Sequence, residues 1–593
     1  MSDTPHDAHC GQTLGLRNRP KQYLVAPLPE RLLPAGFTPV ESGVLFDQLQ
    51  QDPEVNVHDC IVPAEHPSLE GTPQFPEVAV VEMPSHRAAA MDRDPQLHIE
   101  PNHHLRVASP YPVADTQAAT QPYAGDPVRR RSNPGVQLAA ASPTQVPFVV
   151  SASDGGTLAD AMIIVLSGEG TFRATTGPDG RAVVTLTMHD PATVNGVYVK
   201  PAGDYWERWI ARPKLSTDSD NVIVLHPLSE TFPGFPQRQV CGWGLSAMGL
   251  DRIPPTYRGQ GIKIAIIDSG TATSHPELHD RVTAGINLVG DDATQWSVDV
   301  VGHGTHCAGV IGAADNGIGV LGIAVEAELH ACRIFPGGQY SEIIKALDYC
   351  IQNEIDVVNL SLGGDQPSAF VAQKIEQARQ AGIACIVAAG NSSGPVSFPG
   401  QLPSVLTVAA IGRLGQFPPD TYHATQVWGQ PDAQGYFSAV FTSHGPEVDV
   451  CAPGVAIVST VPARNYEAMD GTSMATPHVA GLAALVLAHH PDFRDGYSRR
   501  DANRVNRLFQ LIRASCTPLD FGDPGRTGAG LPDAMRALGL VTSPETTAAT
   551  PELAQLREAM RMAGLLPTVP GATADPLEQL RQLLRAAGLL PTP

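Results

Sequence analysis

Between residues 238 and 543 the chain alternates apolar runs of strand length with amphipathic stretches, and this alternation limits the fold more than any other feature. IKIAIID, AELHACRIF, VVNLSLG, IACIVAAG and VLTVAAIG are nearly unbroken apolar runs. Such runs mark strands buried on both faces. SEIIKALDYCIQNE and PSAFVAQKIEQARQAG lie between them and carry apolar residues at helical spacing. Strands buried on both faces need helices above and below, so an α/β domain with a mostly parallel sheet is expected. Sheets of this kind place their chemistry at the carboxyl ends of strands.

A chain of 593 residues is too long for one core, and further units are expected. Residues 1–19 read as an N-terminal tail. Residues 20–108 read as a small α+β unit, with strands in FPEVAVVEM and DPQLHIEP and a short helix in SHRAAAMD. Residues 109–144 are rich in Pro and Ala and contain Arg129-Arg130-Arg131, so they read as a linker, either a solvated loop or a site of proteolytic nicking. Residues 145–227 hold seven short strand candidates separated by Gly, Asp, Asn and Pro, the pattern of a small all-β sandwich, and show no catalytic cluster. Residues 544–593 form a linker and two copies of one short helix, LAQLREAMRMAGLLPT and LEQLRQLLRAAGLLPT. Those helices either pack on the protein or on each other, or dock a protein partner.

The net charge of −21 repels phosphate backbones, so nucleic acid is not expected as a partner. No run of 18 apolar residues occurs, so no membrane span is expected. The first residues lack the apolar core of a signal peptide, which makes a cytoplasmic protein the default and leaves export by another route open. The nine cysteines are scattered, and Cys332, Cys350, Cys385 and Cys451 lie in or beside apolar segments, as reduced buried thiols do.

Four segments carry candidate chemistry. Asp268 ends the strand run IKIAIID; it is either a helix cap or an ionisable group at a strand end. His303 lies in GHGTHCAGVIG, between glycines that allow close approach of another segment. His303 and His306 could in principle pair on a metal, but no zincin-type Glu accompanies them. Ser473 opens a small-residue helix in DGTSMATPHVAG, with Pro477 expected in its first turn; it is either an N-cap or a hydroxyl at the positive end of a helix dipole. Asn391, in AAGNSSG, is either a turn former or an amide donor to an oxyanion.

Taken together, DSG, GHGTH, SLGG, AAGN and GTSMATPHVAG follow the order Asp, His, Ser, and the chain resembles the subtilisin-like (subtilase) serine protease family over about 300 residues. FPGQLPSVLTVAA and FTSHGPEVDVCAPGV agree with it. The resemblance implies a serine endopeptidase acting on extended or unfolded polypeptides. In that reading Ser473 is the nucleophile, His303 the general base and acid, Asp268 its orienting carboxylate, and Asn391 an oxyanion donor with the Ser473 N–H. It also implies that Ser361, Leu362, Gly363 and Gly364 pair with substrate backbone as an added strand. Cys307 would be a thiol beneath the triad, acting as packing or as a point of sensitivity to mercurials and oxidants. The chemistry needs no cofactor. A structural calcium with Glu277 and Asn316 as ligands is implied by ADNGIGVLG, which reads equally as a plain Asn-Gly turn. Residues 75–108 resemble the end of an inhibitor-type prodomain, with self-cleavage expected near Ala108 or in the linker beyond. A dedicated maturation protease for one client, or an inactive scaffold on a protease fold, are the competing readings.

Overall fold

The computed structural model describes residues 20–69, 71–72, 74–107, 143–187 and 193–541. The N-terminal tail, nearly all of the Pro/Ala-rich linker, Ala108 and the C-terminal helix repeat lie outside the described residues.

The α/β region is built on one mixed, mostly parallel sheet. Its strands are β13 (Lys263–Asp268), β14 (Val282–Asn287), β15 (Glu328–Arg333), β16 (Val357–Leu360), β18 (Ala384–Ala388), β19 (Leu406–Arg413), β20 (Val427–Trp428), β21 (Tyr436–Ala439) and β22 (Val450–Pro453). The order is β14-β15-β13-β16-β18-β19-β21-β20, with β22 also beside β19. Only the pairings of β21 with β19 and with β20 are antiparallel. The strand β13 shows why its sequence is an unbroken apolar run. Ile264 and Ile266 enter one core, while Ala265 and Ile267 enter a second core on the opposite face. Helices α3 (His303–Gly312) and α6 (Thr472–His489) fill the first face, and α4 (Tyr340–Gln352) and α5 (Ala369–Gln380) the second. A short strand, β17 (Leu362–Gly363), leaves the sheet just after β16.

Residues 20–107 form a four-stranded antiparallel sheet of order β2-β3-β1-β4, from β1 (Lys21–Pro27), β2 (Asn56–Ile61), β3 (Val78–Met83) and β4 (Leu97–Pro101). Helices α1 (Ser42–Gln51) and α2 (Ser85–Met91) pack on it through Leu45, Leu49, Ala88 and Met91. Its opposite face joins the core under α4 and α5, where Leu24, Val78, Val80 and Phe75 lie with Phe370 and Ile343. The unit also caps both helices. Glu100 accepts hydrogen bonds from Ser368 Oγ and from the amides of Ala369 (3.0 Å) and Phe370 (3.3 Å), where α5 begins. At the start of α4, Asn102 Oδ1 accepts from the Ser341 amide at 3.0 Å. These are the amides that a helix leaves without intrahelical partners.

The chain then ends this unit in a two-residue strand, β5 (Arg106–Val107), which pairs antiparallel with β17. Residues 144–225 form two sheets over one apolar core. One sheet has the order β11-β10-β7-β8 and the other β12-β6-β9. Their strands are β6 (Thr144–Ala152), β7 (Met162–Ser167), β8 (Gly170–Thr175), β9 (Arg181–Leu186), β10 (Val194–Lys200), β11 (Arg208–Ala211) and β12 (Asn221–Leu225). Alternate residues point inward, Val146, Phe148 and Val150 from β6 against Ile163 and Val165 from β7. This two-sheet unit does not stand apart, because Trp206 is buried in the main core with Leu228 and Phe235. Among the described residues no helix is long and apolar enough to cross a membrane.

Candidate active site

Asp268, His303 and Ser473 come from three elements that meet at one end of the sheet. Asp268 is the last residue of β13, His303 the first of α3, and Ser473 the second of α6. The approach of α3 to β13 requires the glycine after the histidine. A Cβ at Gly304 would lie 2.2 Å from Gly270 O and 3.2 Å from the Asp268 Cβ. His303 Nδ1 lies 2.8 and 2.9 Å from the two Asp268 carboxylate oxygens. Asp268 is fully buried, and its Oδ1 also accepts from the Ser269 amide at 2.7 Å. With an acceptor carboxylate on Nδ1, the proton sits on that nitrogen and Nε2 is left as the basic side of the ring.

Ser473 Oγ lies 3.2 Å from Ser361 O. Pro477 is the sixth residue of α6 and lies in its second turn, not in the first as the sequence suggested. Lacking an N–H, it cannot bond the Ser473 carbonyl four residues back. Other donors take that oxygen instead: Ser361 Oγ at 2.9 Å and the Cys307 thiol at 3.5 Å. The proline is tolerated because its neighbours satisfy the acceptor it orphans.

Asn391 follows β18 and is tied to the turn that precedes Ser473. Its Oδ1 accepts from the Thr472 amide (2.9 Å) and from Thr472 Oγ1 (2.8 Å), which fixes the amide orientation. Gly471 has φ 151°, a value that side chains disfavour, and a Cβ there would stand 3.3 Å from Asn391 Nδ2 and 3.4 Å from Ser473 N. Two N–H donors therefore border one methyl-sized space beside the hydroxyl. Stabilisation of a developing oxyanion needs this arrangement.

The four residues of the SLGG segment divide. Ser361 is buried beside Ser473, as described. Leu362 and Gly363 form β17 and pair with Val107 and Arg106 of β5. Gly364 donates to Phe398 O at 2.8 Å, and a Cβ there would lie 2.4 Å from Tyr340 Oη. The chain's own strand thus lies along this segment. Leu105, at its start, is buried and donates to Gly338 O at 2.8 Å.

His306 turns away from His303. Its Nε2 donates to the carbonyls of Ile457 (2.8 Å) and Glu467 (3.1 Å), and burial pulls its pKa down to about 3, so it is a neutral packing residue. Cys307 brings its sulfur near Asp268 and His303, within 4.8 Å among ligand atoms. Burial, aided by the charges of Asp268 and Asp299, pushes its thiol well above the ordinary range, so it stays protonated and unreactive.

The two residues expected at a calcium site make contacts within the protein. Glu277 is buried, and its Oε1 accepts from Tyr466 Oη at 2.6 Å and from the Val320 amide at 3.0 Å. Burial pushes its pKa up to about 7, against the pull of those two hydrogen bonds. Asn316 lies in an exposed turn, its Oδ1 accepting from the Ile318 amide at 3.2 Å. The carbonyls of Ala314 and Val320 accept from Gln239 Nε2 at 2.7 and 3.1 Å. Neither Tyr466 nor Gln239 was visible in the sequence as a partner of this loop.

The model of the subtilase family matches residues 259–519. Subtilisin DY of Bacillus licheniformis is 34% identical over 302 residues, covering 49% of this chain and 97% of that protein. Subtilisin of Bacillus pumilus is 39% identical over 251 residues, 41% of this chain and 82% of that protein. Subtilisin amylosacchariticus of Bacillus subtilis subsp. amylosacchariticus is 40% identical over 251 residues, 41% of this chain and 60% of that protein. The chain belongs to the subtilase family. It spans about 60% of the length of the first relatives it matches.

Proposed function

We propose that this protein is a serine endopeptidase that hydrolyses peptide bonds of extended polypeptides. The observation that carries this reading is the Asp268–His303 pair held at the carboxyl end of β13. One turn along α3, the Cys307 thiol reaches the Ser473 carbonyl at 3.5 Å, and the N–H donors Asn391 Nδ2 and Ser473 N border the space beside Gly471 at the start of α6. Ser473 Oγ attacks the scissile carbonyl while His303 Nε2 takes its proton. Asp268 holds the ring in the productive tautomer and stabilises its charged form. The oxyanion forms where Asn391 Nδ2 and the Ser473 N–H can both reach it. His303 then gives the proton to the leaving amine, and water completes hydrolysis of the acyl-enzyme.

Substrate main chain pairs with Leu362 and Gly363, which recognises extended peptide and tolerates varied side chains. The pairing of β5 with β17 supports a second element of the reading, that residues 20–107 are an inhibitory prodomain bound in a product-like pose. Val107 faces Leu362, so the register continues toward Ser361, whose carbonyl neighbours Ser473 Oγ. Self-cleavage accordingly falls beyond β5, near Ala108 or in the linker that follows. Calcium plays no part in this reading.

A fluorophosphonate label that reacts with activated serine tests the central assignment. One label per chain on the wild type, none on Ser473→Ala, and casein hydrolysis only by the wild type are expected. Equal labelling of both proteins would place the reactive serine elsewhere.

A further inference from the structure

The segment between β19 and β21 carries His423, which is fully buried between the two-sheet unit and the nucleophile turn. Its Nδ1 lies 2.7 Å from Asp470 Oδ1. Its Nε2 faces Glu207 Oε1 at 3.7 Å. Glu207 directly precedes β11 and is itself buried, with its other oxygen accepting from Tyr198 Oη of β10. Asp470 directly precedes Gly471 and lies three residues before Ser473. Its Oδ1 also accepts from the Ala456 amide at 2.7 Å, and the adjoining Gly454 carbonyl accepts from the Gly471 amide at 2.8 Å. The Asp470 carboxylate thus staples the turn that presents the nucleophile.

Two carboxylates buried this close repel unless a cation separates them. A protonated imidazole, lying between them, would do so. Burial alone would strip its proton, but Asp470 and Glu207 outweigh burial and push His423 up to about 9. The other charged and titratable groups facing this centre are Glu467, paired with Lys200 at 2.6 Å, and the phenols of Tyr198 and Tyr422. The rings of Trp206 and Phe417 close the site at 5.8 and 5.9 Å from the imidazole. None of these groups was singled out by the sequence motifs.

We propose that Glu207, contributed by the two-sheet unit, is a positioning residue for the nucleophile: it keeps His423 as the cation that holds Asp470, and Asp470 fixes the turn that aims the Ser473 hydroxyl and amide. The proposal rests on the endopeptidase reading and extends it. The two-sheet unit then acts as a fixed part of the catalytic machinery, joined to it through one carboxylate. A positioning residue acts on the turnover step more than on binding.

The test compares wild type, Glu207→Gln, Glu207→Asp and Arg208→Met on one peptide substrate from roughly pH 6 to 10. Gln keeps the shape and an acceptor for Tyr198 but removes the charge. Arg208 pairs with Asp420 across the same junction at its rim, so its loss weakens docking without touching His423. Glu207→Gln should lower kcat on the order of tenfold with KM little changed, and shift the alkaline fall in kcat to lower pH by about one unit. Asp should restore part of both, and Arg208→Met should change neither. Wild-type kcat and an unmoved alkaline limb in Glu207→Gln, even with a lower Tm, would overturn the proposal. An NMR titration of His423 in the Ser473→Ala protein gives a readout independent of proteolysis and of how the Gln variant folds. The ring should titrate near 9. A ring that is already neutral at pH 7 would overturn the proposal whether or not the wild type cleaves peptides.

Discussion

At the residue scale the site depends on where donors point. Asn391 is held by its own carbonyl oxygen on Thr472, which leaves the amide nitrogen toward the space beside Gly471. Asn391→Ala should therefore lower kcat by about 100- to 1,000-fold with little change in KM, a magnitude measured on subtilisin itself. Steady-state kinetics on a peptide anilide checks this, and a pure KM effect would place Asn391 in substrate binding. The same reasoning governs Glu277. Its pKa is raised to about 7 from an ordinary 4.5, so its contribution to folding is full below about 4.5 and lost as pH rises through 7. Thermal melts of the Glu277→Gln variant should lack that loss. Addition of a chelator should leave the wild-type Tm unchanged, and a fall of several degrees would show that a cation holds the loop after all.

The site residues were legible because each sits in a short motif at a strand end or helix start, where local sequence and function coincide. Asp268 closes an apolar strand, His303 is flanked by glycines, and Ser473 follows Gly471. The calcium pair was not decidable in that way. The groups that fill its place, Tyr466 and Gln239, come from distant positions and carry no pattern of their own. Glu207 and His423 were hidden for the same reason, being brought together only by the packing of two units.

At the scale of elements, buried strands such as β13 were readable because both faces are apolar. The strands β1 and β2 were not singled out, since β2 is exposed along much of its length and shows little alternation. The most informative element is among the shortest, β5, whose two residues have no periodicity and owe their strand state to β17. Its hold depends on the caps behind it. Burial works to raise the Glu100 carboxyl, but hydrogen bonds from His98, Ser368 and the Ala369 and Phe370 amides outweigh it and keep it below its ordinary value of 4.5. A depressed carboxyl stabilises docking above the ordinary value, and that contribution is lost as pH falls through the depressed one. Residues 20–107, added in trans as an inhibitor, should bind more weakly in acid, as pH falls through the depressed Glu100 value, than at pH 7. Glu100→Ala should weaken inhibition at pH 7 on the order of tenfold, with a smaller effect in acid. Inhibition constants at the two pH values check both statements.

At the scale of the whole molecule, the two N-terminal units are attached in different ways. Residues 20–107 lie on helix faces and caps, whereas the two-sheet unit sends Trp206 into the main core and Glu207 to His423. Removal of the two-sheet unit opens a cavity the size of an indole and leaves His423 and Asp470 without their third partner. A chain starting at residue 238 should be insoluble or melt at least about 10 °C below the longer one, as loss of a buried aromatic alone costs about 3–5 kcal/mol. A chain starting at residue 143 should stay folded once matured. The most direct test of the account is intact mass over time for the wild type and Ser473→Ala. The wild type should lose an N-terminal piece ending near Ala108 or in the linker beyond as casein hydrolysis appears, while Ser473→Ala should stay full length and inactive. Processing of both proteins at the same rate, or casein hydrolysis by the serine variant, would contradict it.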